Sequence, residues 1–427
     1  GSVHSGSAGV GLQSPKTGTV TITGTGSEWL VDGSPFVLGG DADGVPGTGH
    51  LTLADGGLLQ LDGGTGTLHA ALGDGSTARI NIGAAEGEDA AAAGTLDLGN
   101  IVFDDDGGGD GRLLFNHTAT DYLFGAVLEG AGTISHLAGV TTFTGLSSAF
   151  TGMTSLTGGQ LNVDGTLGGS MSVSNARLGG SGTVGDTTLN GDGVLSPGNS
   201  IGTLTVDGDL AFGDGSFFEV ELNDGGTVAG TNNDFVDVTG GVTIDSGASV
   251  FVAAANGTDD GTTYAPDATY TLIAADNGVS GIFGAIGTSF AFLAPTLSYD
   301  ENNVFLSFVS AADFEDTAVS PNQQAVATAL DELGAGNEIY DALLLMTEEE
   351  ARHTFDTLTG EAHASTVSAF FLGAQQVREV LTNRLAALFG GLGGVASRDI
   401  GYAPAAGDAT PHAVTVWGQV FGGWGTT

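Results

Sequence analysis

From residue 17 to about 310 the chain is written in short runs that alternate apolar and polar residues. Examples are Thr19-Val20-Thr21-Ile22-Thr23, Leu51-Thr52-Leu53, Gln160-Leu161-Asn162-Val163, Thr203-Leu204-Thr205-Val206 and Phe218-Glu219-Val220-Glu221-Leu222. A period of two puts every second side chain on one face of a strand. Asp-Gly, Gly-Gly and Asn-Gly pairs close the runs, which are shorter than sandwich strands usually are. They recur about every 18 to 25 residues, the length one coil of a stacked repeat needs. The pattern predicts an all-β solenoid of roughly 12 coils, ~60 Å long at ~4.8 Å per step. Inward Val, Leu and Ile stack in it, and Gly, Asn and Asp take corners that need positive φ.

Near residue 311 the period changes. Ser320-Pro321 reads as an N-cap with proline at the first helical position, leading into a helix over Gln323 to Leu333. A second helix is predicted over Asn337 to Met346, and Thr347-Glu348-Glu349-Glu350 matches a capping box. Between Thr366 and Phe389, Phe370, Ala374, Val377, Leu381, Leu385 and Leu388 fall at spacings of three and four. That predicts one amphipathic helix ~36 Å long, whose Arg378, Glu379 and Arg384 forbid contact with lipid. After a Gly/Ala/Pro linker, His412 to Trp424 alternates with aromatics near its ends, as an outer-membrane barrel strand does.

Charge narrows the partners. Fifty Asp and Glu stand against eight Lys and Arg, a formal net charge of −42, so phosphate backbones are repelled and nucleic-acid binding is excluded. Residues 178–351 contain no Lys or Arg, so ion pairs do not hold that stretch together. With no cysteine there are no disulfides and no thiolate metal sites. No apolar run is long enough for a transmembrane helix. The opening Gly1-Ser2-Val3-His4 reads as a tag scar on a piece of a longer protein.

The order of these features resembles the C-terminal part of an autotransporter (type V secretion) passenger. Leu178-Gly179-Gly180-Ser181-Gly182-Thr183-Val184, followed by Leu195-Ser196-Pro197-Gly198-Asn199-Ser200-Ile201-Gly202-Thr203-Leu204, is similar to the family's passenger repeat. Asp234 to Gly240, Tyr270 to Ile273 with Gly281 to Phe283, and Leu297 to Asp300 with Asn303 to Leu306 resemble the terminal coils called the autochaperone region. Leu358 to Ser365 and Trp417-Gly418-Gln419 resemble the linker helices and first strand of the translocator barrel. The likeness covers roughly 155 to 427. It implies a right-handed parallel β-helix at a Gram-negative cell surface or outer membrane, displayed there or released after cleavage, whose last coils fold first. The expected division is a tag and linker over 1–16, a stalk over 17–195 and autochaperone coils over 196–310. An α-helical linker over 311–390, a flexible linker over 391–411 and one truncated barrel strand over 412–427 complete it. Asn383 lies between Thr382 and Arg384, unlike the paired Asn of members that cleave themselves inside the pore.

Candidate chemistry is sparse. Gly198-Asn199-Ser200-Ile201-Gly202 spells the G-x-S-x-G elbow, but lacks a long strand before it, a helix after it and a nearby His, so a corner turn is expected. Gly180 to Gly185 fits G-x-G-x-x-G and opens no helix. Asp104-Asp105-Asp106 with Asp110, and Asp41 with Asp43, read as solvated loops, with weak Ca²⁺ ligation the alternative. The eight His show no metal spacing, and His363 with Glu361 belongs to the linker motif. Trp29, Tyr264 and Tyr270 are expected in the core rather than stacked on sugars. No catalytic residue, metal site or cofactor is assigned. The expected function is a non-enzymatic adhesin or self-association stalk that binds a protein or glycan on a host or bacterial surface and joins its own barrel. The rivals are the stalk of an enzyme whose protease or esterase domain lies upstream, and a β-helix that cleaves polysaccharide.

Overall fold

The computed structural model describes residues 1–389 apart from 16, 34, 42, 104–107, 224–225, 256–267, 335 and 345. The linker over 391–411 and the barrel strand over 412–427 lie outside the described residues. The chain divides into two compact units, residues 1–317 with 328–351 and residues 318–327 with 352–427.

The first unit is built of parallel sheets. In its first part each strand pairs with the one three strands later, so that successive strands go to three different sheets in turn. This β-helix-like pairing is easiest to follow through one inward row. Val20, Leu51, Ile80, Leu113, Ile134, Thr154, Met171, Thr187, Leu210, Val242 and Val279 are partners in consecutive parallel registers. From Leu51 to Val242 each is at most 4% exposed. Burying such a stack supplies most of the stabilisation, at about 1.5–3 kcal/mol per large aliphatic side chain.

The separations along that row differ from the expected 18 to 25 residues. They run from 16, between Met171 and Thr187, to 37, between Val242 and Val279. The long steps carry excursions that leave the inward register intact. One of them, around residues 84–92, is held by Asn116, whose amide donates to the carbonyls of Ala85 (3.2 Å) and Glu88 (3.0 Å). Arg112 on the same strand pairs with Glu86. The short steps arise where two strands merge into one. Thr166–Val173 pairs with Leu146–Ser147 through its first half and with Met153–Leu156 through its second, with a register break between Leu167 and Ser170.

Two expected boundaries move. Parallel pairing begins at Ser2–Ser5 and Ala8–Val10, inside the stretch read as tag and linker, because Ser2 to Ser5 stand in register with Glu28 to Val31. At the other end the ladder does not finish in further coils. Leu293–Tyr299 and Asn303–Ser310 form an antiparallel hairpin whose second strand pairs antiparallel with Thr269–Ala275. The hairpin turn is tied by Asp300, whose carboxylate accepts from the backbone N–H groups of Asn302 (2.9 Å) and Asn303 (2.7 Å). Tyr270, Phe292, Val304, Leu306 and Phe308 close the end of the core.

Among the described residues four α-helices follow: α1 (Pro321–Asp331), α2 (Glu338–Leu344), α3 (Glu348–Leu358) and α4 (Glu361–Phe389). Ser320 caps α1 reciprocally: its Oγ accepts from the Gln323 N–H (3.2 Å), and Gln323 Oε1 accepts from the Ser320 N–H (3.2 Å). Thr347 and Glu350 form the anticipated box at α3, with the Glu350 carboxylate accepting from the Thr347 N–H at 2.9 Å. In the first unit, Phe314 packs edge-on against Phe292 (4.7 Å), and Asp331 accepts from the N–H groups of Phe314 and Glu315. Helix α4 starts five residues before the expected Thr366, and its Phe370 and Phe371 are exposed.

Candidate interaction groove and buried polar clusters

The elbow-like motif is a corner. Gly198 and Gly180, with φ of +82° and +99°, exchange both backbone hydrogen bonds (2.8 and 3.1 Å). A Cβ on Gly180 would lie 2.2 Å from the Val163 carbonyl oxygen, so glycine is required there. The Asp164 carboxylate accepts from the Ser181 N–H and the Asn199 amide, each at 3.1 Å, and ties three successive turns of chain together. Ser200 is exposed at this corner, and no hydrogen bond joins it to a histidine among the described residues.

Asp41 Oδ1 accepts from the N–H groups of Asp43 and Val45, which uses the carboxylate in a turn. Asp104, Asp105 and Asp106 lie outside the described residues, and Asp110 is paired with Arg79. Among the described residues no three His, Asp or Glu side chains gather as a metal site would need. Trp29 is half-buried, donating to Ser5 Oγ (3.1 Å) and meeting Phe36 edge-on, and Tyr270 is buried. Tyr264 is outside the described residues. Glu361 and His363 fall in α4.

Two buried polar clusters were not anticipated. His136 and His117 are both fully buried, and their Nε2 atoms share the Thr141 hydroxyl at 3.1 and 2.9 Å. His136 Nδ1 faces the Gly158 carbonyl (2.8 Å), which only accepts, so that nitrogen carries the proton. Thr141 therefore donates to His136 and accepts from His117, while His117 Nδ1 makes no hydrogen bond of good geometry although the Ala119 backbone lies beside the ring. Burial holds both imidazoles neutral, pushing His136 down to about 4 and lowering His117, against the pull of the carbonyls beside them. Phe115 and Tyr122 wall the pair.

The second cluster centres on Asp234, which has no exposed surface. Its oxygens accept from the backbone N–H groups of Gly202 (3.0 Å) and Glu221 (2.8 Å). Burial pushes its carboxyl up to about 8; those two donors oppose the shift, and the nearby Glu221 charge adds to it. A carboxyl so enclosed is unable to reach a substrate, and it serves as a clamp between turns of chain.

Among the described residues a concavity of about 390 Å³ opens on the surface. It lies where the merged strands Thr166–Val173 and Thr183–Leu189 bend from one sheet face to the next. Gly169 makes the bend at φ +74°, and a Cβ there would sit 2.2 Å from the Gly152 carbonyl oxygen. Thr166 stands beside Thr183 on one wall and Ser170 beside Asp186 on the other, in parallel register. Asp207 completes the rim. Sequence reading missed this groove because its residues are ordinary outward positions on separate turns.

No protein-family model matches the chain. A 166-residue stretch, 39% of the chain, is 34% identical to the adhesin BmaC autotransporter of Brucella suis biovar 1 (strain 1330) and covers 4% of that protein. A 145-residue stretch, 31% of the chain, is 34% identical to the uncharacterized lipoprotein YdeK of Escherichia coli (strain K12) and covers 11% of it. The chain thus spans a small part of the length of these curated relatives. Its parallel β architecture and the likeness to an autotransporter together support an autotransporter-like passenger.

Proposed function

We propose that the chain is part of a surface-displayed autotransporter adhesin: a right-handed parallel β-helix stalk, closed by a C-terminal cap, that presents a rigid face to a host or bacterial surface or to a second copy of itself. The single observation that carries this reading is the inward row from Val20 to Val279, an unbroken parallel stack over most of the first unit. Such a stack presents outward side chains in fixed rows, so binding is spread along a face and needs no enzymatic site. The 34% identity to an adhesin autotransporter supports the same reading. The antiparallel cap over residues 293–310 is the folding nucleus in this account, because each turn of a stack is stabilised by its neighbours and the cap gives the last turns a closed neighbour. The helices and the 412–427 segment belong to the barrel end of the secretion apparatus in this reading. The protein acts without catalysis, metal or cofactor, and its charge of −42 keeps nucleic acid away.

The test is attachment and autoaggregation of bacteria displaying the intact protein, compared with bacteria displaying a deletion of residues 17–154 at equal surface level. Lower attachment or aggregation is expected on deletion. Unchanged behaviour removes that segment as the binding face.

A further inference from the structure

The groove at the Gly169 bend has the chemistry of a site for one class of ligand. Its walls carry the hydroxyls of Thr166, Thr183 and Ser170, none of which bonds to another described residue of the protein. At its rim Asp186 and Asp207 are exposed, and each is held by one oxygen only. Asp186 Oδ1 accepts from the Asp209 N–H (2.8 Å), and Asp207 Oδ1 accepts from the Thr239 hydroxyl (3.2 Å). The other carboxylate oxygen of each is left to accept from a ligand. One turn of chain upstream, the same two outward rows change character. Leu146 stands in register with Thr166, and Met153 with Ser170; they are 71% and 50% exposed. A concave run of free hydroxyls and fixed acceptors that continues onto an exposed aliphatic pair matches a ligand with hydroxyl edges and C–H faces.

We infer that this groove binds an uncharged, hydroxyl-rich glycan segment, its hydroxyls donating to Asp186 and Asp207 and its ring C–H face lying on Leu146 and Met153. The volume falls within the ~300–1,000 Å³ typical of small-ligand sites. Anionic glycans are repelled by the acidic rim and by the chain as a whole. Apolar ligands find no support inside the groove, because Phe150, Leu167 and Val184 beneath it are buried. The inference rests on the surface-passenger reading and names the ligand class that such a passenger takes.

The experiment uses the purified 427-residue chain and titrates it by calorimetry with cellohexaose, maltohexaose and mannohexaose, at low and at high salt. At least one should bind with an affinity that salt does not change, since no charge on the ligand is screened. Ser170→Trp, which fills the groove from an exposed position, should weaken that binding about tenfold or more while leaving the melting temperature unchanged. The double change Leu146→Ser with Met153→Ser should weaken it several-fold without occupying the groove. No binding of any of the three sugars overturns the inference, as does equal binding by both variants. Binding that falls with salt, or displacement of the sugar by a Lys-rich peptide, also overturns it in favour of a cationic ligand. Bacteria displaying Ser170→Trp that still attach normally sink the groove alone, whereas the 17–154 deletion tests the wider reading separately.

Discussion

Acidification should strike the first unit through one side chain. His136 is buried, its Nδ1–H donates to Gly158 and its Nε2 accepts from Thr141, so both nitrogens are satisfied only in the neutral form. Its pKa is pushed from the ordinary 6.5 to about 4, so the unfolded chain takes up the proton first. The sign follows: the stabilisation is complete above about pH 6.5 and is lost as pH falls towards 4. The drop corresponds to about 3 kcal/mol. His117, also lowered by burial, acts in the same direction. Carboxylates titrate in the same window, so the informative quantity is a difference between proteins. Urea unfolding followed by far-UV circular dichroism, at pH 7 and pH 4, should be run on the wild type and on His136→Asn, whose amide still donates to Gly158. The wild type should lose about 2–3 kcal/mol more than the variant between the two pH values. Equal losses would refute the argument that a neutral, buried His136 carries the acid sensitivity.

Asp234 gives the opposite slope. With its carboxyl raised to about 8, the folded state holds the proton longer than the unfolded chain, so its contribution should decline from about pH 4 through pH 8, and Asp234→Asn should flatten the decline in a pH series of melting curves. Ile80→Ala removes a fully buried member of the inward row and should cost about 2–5 kcal/mol in denaturant unfolding. Gly180→Ala should cost more than about 1 kcal/mol, because the corner needs positive φ and the new methyl meets the Val163 carbonyl. Ser200→Ala, at the G-x-S-x-G corner, should leave stability within about 0.5 kcal/mol of wild type, since the side chain is exposed. Deleting residues 293–310 should slow refolding of the preceding strands in stopped-flow experiments, and an unchanged rate would remove the cap as the nucleus.

The local elements were legible because local chemistry decides them. Period-two runs such as Gln160 to Val163 became strands, and Ser320-Pro321 and Thr347 to Glu350 became helix caps. Repeat length was not legible. Excursions such as 84–92 enter at corners without disturbing the inward register, and a glycine bend fuses two strands into one. The antiparallel end was written in the sequence as alternating runs flanking Asp300 to Asn302, yet a parallel stack and a hairpin use the same alternation. His117, His136 and Thr141 looked unrelated because only parallel stacking brings them together. The groove was hidden for the same reason, since its four wall residues become neighbours only through the register of two strands.

The central claim is that inward and outward rows run continuously along a parallel stack. Thr52 and Thr243 stand on the row that alternates with the inward one, eight register steps apart through Asn81, Leu114, Ser135, Ser155, Ser172, Thr188 and Ala211, of which Asn81, Leu114 and Ser135 are covered. Because the chain has no cysteine, Thr52→Cys with Thr243→Cys can be spin-labelled cleanly and the separation read by pulsed electron paramagnetic resonance. At ~4.8 Å per step the stack predicts a narrow distribution centred near ~38 Å between the labelled backbones. A separation well below that, as two face-packed antiparallel sheets would give, or a broad distribution, would contradict the account.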